Sequence, residues 1–172
     1  KILAYGGDFN DHHNNGKFVF NGTILADRTP EPGYFEVKHV HQNISTSLTE
    51  DGKISIFNKN FFTDLSPYDI TWTLTENGNV VAEGALNTPP AGPREKIVVP
   101  VPDIPQLKNR KPGAEYALRV SYKLKKDTDW AKKGYELAFD QLQLPVQGGL
   151  PMFTAPAGKV TLLPCGTITA AQ

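Results

Sequence analysis

Asp8, Asp11, His12, His13, Asn14 and Asn21 fall within residues 5–22, YGGDFNDHHNNGKFVFNG, among glycines and phenylalanines. Such side chains can ligate a metal, hydrogen-bond a sugar or close turns, and their spacing separates these uses in part. His12 and His13 are adjacent, so on an extended segment they point opposite ways and do not share one metal; they read as loop surface. Asp8 and Asp11 invite a carboxylate pair, but an aspartate in a glycine-rich stretch more often holds a turn through its own side chain. That turn-holding role is the expected one.

Other candidates are weaker. His39 and His41 lie two apart in an expected strand and would share a face, yet no third ligand type recurs nearby, so a structural or solvent role is expected. Cys165 is the single cysteine; it makes no internal disulfide, and with nothing basic beside it in sequence it reads as inert. Trp72, Trp130, Phe57, Phe61 and Phe62 are expected to pack the core and corners of the fold rather than to form a sugar platform, because β-sandwiches need large buried side chains.

The elements that must carry these residues are written in period two. Ile44, Thr46 and Leu48 alternate with Ser45 and Ser47, EDGK at 50–53 supplies an Asp-Gly turn, and Ile54 and Ile56 resume the alternation. Ile70, Trp72 and Leu74 share a face, ENGN at 76–79 supplies an Asn-Gly turn, and residues 80–86 lead back as a second hairpin. EKIVVPV at 95–101 is a short strand between proline-bearing loops. Leu118, Val120, Tyr122 and Leu124 alternate with more polar neighbours and predict a half-buried strand. In the last strand Tyr135, Leu137 and Phe139 have one parity and Leu142 and Leu144 the other, which predicts a bulge near Asp140 and Gln141. About seven short strands between residues 35 and 146, with no convincing helical period, predict an all-β, immunoglobulin-like antiparallel β-sandwich.

The two ends break the pattern. Residues 1–34 carry no alternation and read as irregular loop; 147–172 read as a Pro/Gly-rich linker followed by the start of a further β domain, with Val160, Leu162 and Ile168 in it. The chain is therefore expected to be cut from something longer. Eighteen basic residues balance eighteen acidic ones, so the electrostatic footprint of a nucleic-acid binder is missing. No apolar run approaches the roughly 20 residues of a membrane helix, and no signal segment opens the chain. Neither nucleic acid nor membrane is expected as a partner, and the compartment, cytoplasmic or periplasmic, stays open.

The opening stretch and the sandwich together resemble the large β-galactosidases of glycoside hydrolase family 2. In that family a Tyr-Gly-Gly-Asp-Phe-x-Asp element leads to Phe-x-x-Asn-Gly and then Ala-Asp-Arg-Thr-Pro at the end of the catalytic barrel, and residues 5–11, 18–22 and 26–30 follow that order here. NKNFFTDLSPYDITWTLTENGNVVAEG at 58–84 and WAKKGYELAFDQLQLP at 130–145 are similar to the sandwich domain that follows the barrel. Three separated segments in the right order are more specific than any one motif.

The resemblance implies a retaining β-galactosidase whose two catalytic glutamates lie upstream of Lys1, so that this segment alone is expected to be inactive. It implies that Phe18 offers its backbone carbonyl and Asn21 its side-chain oxygen to sodium beside the sugar's 6-hydroxyl. Asn14 matches a position that contributes to a second magnesium site, although Asn15 and Gly16 stand where those relatives carry an acidic and a basic residue. Sodium and magnesium are thus expected in the parent enzyme, with no tight binding by the segment alone. The implied partners are the other domains of the parent chain and a β-galactoside, with further copies of the parent left open. The sandwich is expected to act as a spacer between barrel and C-terminal domain. Two alternatives share the fold: an independent carbohydrate-binding module and a cell-surface adhesion module.

Overall fold

The computed structural model describes residues 2, 4–18 and 22–148, together with the backbone of two short strands at 160–162 and 168–170. Strands β1 (Ile44–Leu48), β2 (Ile54–Asn58), β3 (Tyr68–Glu76), β4 (Asn79–Ala85), β5 (Lys96–Val99), β6 (Tyr116–Leu124) and β7 (Glu136–Gln143) form two antiparallel sheets. One has the order β1-β2-β5 and the other β4-β3-β6-β7. These seven strands are the expected sandwich.

The turn chemistry explains the hairpins. Asn77 and Gly78 both have positive φ, 47° and 82°, which a two-residue type I′ loop requires and which Asn-Gly supplies at least cost. The β1–β2 connection closes through Gly52 at φ 74°, with the Thr49 N–H donating to the Lys53 carbonyl at 2.8 Å. Ile44, Ile54, Ile56, Leu74, Leu118, Val120 and Tyr122 are fully buried between the sheets. Strand β6 is buried on both faces along much of its length, more than the half-burial its alternation predicts. It is a central strand, and Ser121 and Arg119 on its outer face are covered by Glu136, which accepts from the Ser121 Oγ at 2.5 Å and from Arg119 Nη2 at 2.7 Å.

The bulge in β7 lies elsewhere than expected. Tyr122 pairs with Ala138 and Lys123 with Glu136, so Leu137 is the extra residue, not Asp140 or Gln141. From there Ala138, Leu142 and the following Leu144 face the core in one unbroken phase. Phe139 takes the other face and finds cover there, so no second phase reset is needed.

Helix α1 (Pro32–Val40) corrects the reading of this region as strand and loop. Pro32 opens it, at the position where the missing N–H is harmless, and Lys38 and His39 sit in its last turn, where basic groups complement the helix dipole. It buries no residue fully, so it carries no apolar stripe to reveal it in the sequence. A short helix α2 (Pro105–Lys108) lies before β6. Strands β8 (Val160–Leu162) and β9 (Ile168–Ala170) pair antiparallel with Thr161 opposite Thr169. Cys165 and most of the expected linker lie outside the described residues.

Candidate functional site

Residues 5–18 form a loop closed on itself by its own polar groups. The Gly6 N–H donates to the Gly16 carbonyl at 3.0 Å. Asp8 Oδ2 accepts the Tyr5 N–H and Asp11 Oδ1 the Gly7 N–H, each at 3.0 Å, so both aspartates hold turns. Asn14 sits between the two arms: its Nδ2 donates to the Asp11 carbonyl at 2.8 Å and its Oδ1 accepts the Gly16 N–H at 3.0 Å. Gly6 is required beside it, because a Cβ there would stand 2.9 Å from Asn14 Cβ. His12 and His13 are exposed. Phe18 is 80% exposed at the end of the described loop, and Asn21 lies outside the described residues.

Residues 23–31 make a narrow turn, with Ile24 bridged to Pro30. The Thr29 N–H donates to Asp27 Oδ1 at 2.9 Å, and this bond holds the Asp27 carboxyl below its ordinary value. From there the chain enters α1, and a second polar cluster begins, which no short-range sequence signal revealed.

That cluster joins residues 38–46 to β7, almost a hundred positions later. Lys38 Nζ donates to the Glu136 carbonyl at 2.7 Å and lies 4.3 Å from the centre of the Tyr135 ring. Gln42 reaches β7 with both ends of its amide: Oε1 accepts the Phe139 N–H and Nε2 donates to Asp140 Oδ1, each at 3.0 Å. The other carboxylate oxygen of Asp140 accepts the Thr46 N–H at 2.6 Å. Thr46 Oγ1 in turn shares a hydrogen bond of 2.7 Å with the buried Tyr122 hydroxyl. Since β1 and β7 are each the edge of their sheet, Asp140 satisfies an edge N–H that has no ladder partner and closes the open side of the sandwich.

His39 is a helix residue, not one of a strand pair with His41, which caps the helix. Its ring packs on Phe139 with centroids 4.9 Å apart, and its Nδ1 is enclosed without a hydrogen-bond partner among the described residues. The Arg119 guanidinium lies 3.9 Å from the centre of the same Phe139 ring. Burial pushes the Asp140 carboxyl up; the Thr46 N–H, the charge of His39 and the Gln42 amide act against that push. Burial likewise pushes the Tyr122 hydroxyl well up, so it stays a neutral hydrogen-bonding group.

The aromatic residues divide. Trp72 packs against Gly84, where a Cβ would lie 2.7 Å from its ring, and its Nε1 donates to the Ala85 carbonyl at 3.1 Å. Phe57 is half-buried, with the Arg94 guanidinium 5.1 Å from its ring centre. Phe61, Phe62 and Trp130, by contrast, are exposed, Phe62 at 97%, which overturns their expected burial in the core and corners of the fold. They sit in loops beyond the strand ends, where no sheet face turns them inward.

Among the described residues no three His, Cys, Asp or Glu side chains are grouped to hold a metal, and no helix is long and apolar enough to cross a membrane. The chemistry on view is that of a closed loop and a polar joint.

Comparison with known proteins divides the chain at that joint. Residues 54–145 match the family model described as β-galactosidase, domain 4, and residues 1–46 match the TIM barrel domain of the glycosyl hydrolases of family 2. A β-galactosidase of Priestia megaterium is 38% identical over 164 residues, covering 93% of this chain and 16% of the relative. One of Clostridium acetobutylicum is 38% identical over 141 residues, 82% of this chain and 15% of the relative. One of Alteromonas mediterranea is 36% identical over 157 residues, 90% and 15%. The chain thus spans about one sixth of the length of these relatives. Lys38, His39, Gln42 and Thr46 fall in the barrel match; Tyr135, Glu136, Phe139 and Asp140 fall in the domain 4 match.

Proposed function

The chain belongs to the β-galactosidases of glycosyl hydrolase family 2, and from that premise we propose that it joins the end of a catalytic barrel to the sandwich that follows it. The parent enzyme would hydrolyse terminal β-D-galactosides with retention of configuration. Retention needs two carboxyl groups about 5 Å apart, one as nucleophile and one as acid then base; both are assigned to glutamates upstream of Lys1, so this chain alone is inactive. Its own contribution is structural, that of a spacer holding the barrel and the C-terminal domain in register.

The observation that carries this reading is the joint itself. Three hydrogen bonds of 2.7 to 3.0 Å run from Lys38 and Gln42, ahead of the first sandwich strand and inside the barrel match, to residues 136–140 in the domain 4 match, and the Thr46–Asp140 bond at 2.6 Å continues them within the sandwich. A flexible linker would leave the two parts free to turn, whereas side chains and main chain bonded in this way fix one orientation at an edge that would otherwise stay open.

The loop at 5–18 is assigned to the wall of the galactose site. Phe18, through its carbonyl, and Asn21 are proposed to hold sodium, and Asn14 to contribute to magnesium. The donor chemistry fits, since all three offer neutral oxygens and hard cations take oxygen ligands. Asn14 Oδ1 uses one lone pair for the Gly16 N–H and has a second to offer. When bound, such ions would supply positive charge beside the sugar's hydroxyl groups. The chain's own part, among the described residues, is to set the position of the Asn14 oxygen through the closed loop.

Two measurements test the proposal. The purified chain should give no turnover of nitrophenyl β-D-galactoside; turnover from a preparation free of host enzyme would place catalytic carboxylates inside residues 1–172. In the parent enzyme, Gln42→Ala should lower the temperature at which activity is lost while leaving KM at low temperature unchanged. An unchanged inactivation temperature would remove the joint from any role in holding the domains.

A further inference from the structure

A cleft of about 540 Å³ opens between the segment 64–71 and the segment 85–91, and no described residue of the loop or the joint lines it. Its walls are pinned. The Leu86 N–H donates to the Ile70 carbonyl at 2.9 Å and the Leu65 N–H to the Ala91 carbonyl at 3.1 Å. Asn58, wholly buried, ties together the chain beside the two segments, its Nδ2 donating to the Thr63 and Gly92 carbonyls at 2.9 Å each. The volume lies within the range of small-molecule sites, and pinned walls reduce the ordering cost of binding.

The lining selects among ligands. Asp64 spends Oδ1 on the Ser66 N–H and Oγ, at 3.0 and 2.6 Å, and keeps Oδ2. The side chains of Asp69 and Asn87 are exposed and have no hydrogen-bond partner among the described residues. Lys125, the only cation among the described residues of the lining, is bonded to the Ser66 carbonyl at 2.8 Å. Two carboxylates against one engaged ammonium disfavour an anion, and no metal grouping is present among the described residues. Half-buried Tyr68 and the Pro89–Pro90 pair add apolar faces. Donors, acceptors and flat C–H surfaces together suit a neutral ligand that carries many hydroxyl groups.

We propose that this cleft is a second saccharide-binding site on the sandwich. Asp64 Oδ2 and Asp69 would accept from sugar hydroxyls, the Asn87 amide would donate to them, and Tyr68 with the two prolines would take an apolar face of the ring. Its link to the reading above is the choice of probe: lactose, because the parent is taken to act on β-galactosides.

The test is a lactose titration of the isotopically labelled 172-residue chain, followed by amide chemical shifts. The expected result is saturable shifts at 64–71, 85–91 and Lys125, with a Kd of about 1 mM or weaker. Asp69→Ala and Asn87→Ala should each weaken binding about tenfold, the loss of one hydrogen bond to an ionised or amide group. Both residues are exposed, so their variants should keep the dispersed β6 amides of the wild type. Asp69→Asn provides a further variant of the same shape. No shift in the cleft at saturating sugar, shifts reproduced by glycerol at equal concentration, or binding unaffected by the substitutions would each overturn the proposal. Hydrolysis by the parent is read separately, by turnover, so either reading can fail while the other stands.

Discussion

Asp140 and Thr46, 94 positions apart, meet at 2.6 Å across the open side of the sandwich, the carboxylate of β7 accepting an edge N–H of β1. Removing the carboxylate strands that N–H and the Gln42 Nε2 together. Asp140→Ala should therefore cost about 2 kcal/mol, measured by urea unfolding of the chain. Asp140→Asn, which keeps an acceptor, should cost less.

The same carboxylate sets a pH dependence. Burial pushes it above its ordinary value of 3.8, so the folded state binds its proton more readily than the unfolded chain does. That contribution is fully present below 3.8 and is lost as pH rises through the raised folded value. On acidification from neutral pH, the wild type should therefore gain stability relative to Asp140→Asn. A difference between the two that stays constant from pH 7 to pH 4 would show that Asp140 is not shifted.

Phe139 holds His39 at 4.9 Å between centroids and Arg119 at 3.9 Å from its ring centre. Phe139→Ala should remove both contacts and cost about 2 kcal/mol or more. The amides of α1 should lose more protection from hydrogen exchange than those of β6. Equal loss in both would mean that the helix does not depend on this contact.

At Gly84, an alanine Cβ would stand 2.7 Å from the Trp72 ring. Gly84→Ala should displace the indole, break its 3.1 Å bond to the Ala85 carbonyl and cost about 1 to 3 kcal/mol. With Trp130, which is exposed, replaced by Phe, the emission of Trp72 alone reports the displacement, and a shift to longer wavelength is expected.

In the parent enzyme, Asn21→Ala should weaken galactose binding and raise the sodium requirement, a loss of about 1 to 3 kcal/mol if it removes a ligand and leaves a sugar hydroxyl unpaired. If Asn21 only permits a turn before Gly22, Asn21→Gly should be nearly silent. Kinetics of both variants at several sodium concentrations separate the two; unchanged sodium dependence in both removes the ligand role.

Local chemistry made much of the sandwich legible from sequence. Asn77-Gly78 can take the two positive φ values of a hairpin turn wherever it occurs, and period-two alternation states which side chains of β1, β3 and β6 turn inward. Asp8 and Asp11 were readable as turn holders for the same reason, since their partners lie three and four residues away. The resemblance rested on contiguous motifs and needed no fold. Tertiary structure decided the rest. Leu137 rather than Asp140 became the bulge because only the pairing with β6 sets the phase of β7. Residues 32–40 became helix without an apolar stripe because Lys38 and His39 are held by β7, a hundred residues on. Phe61, Phe62 and Trp130 stayed outside because burial depends on where a strand ends, and hydrophobicity alone does not place a residue on a sheet face. The joint and the cleft likewise bring together residues whose separation in sequence hides them, because hydrogen bonds form between neighbours in space, and only the packed sheets make those neighbours.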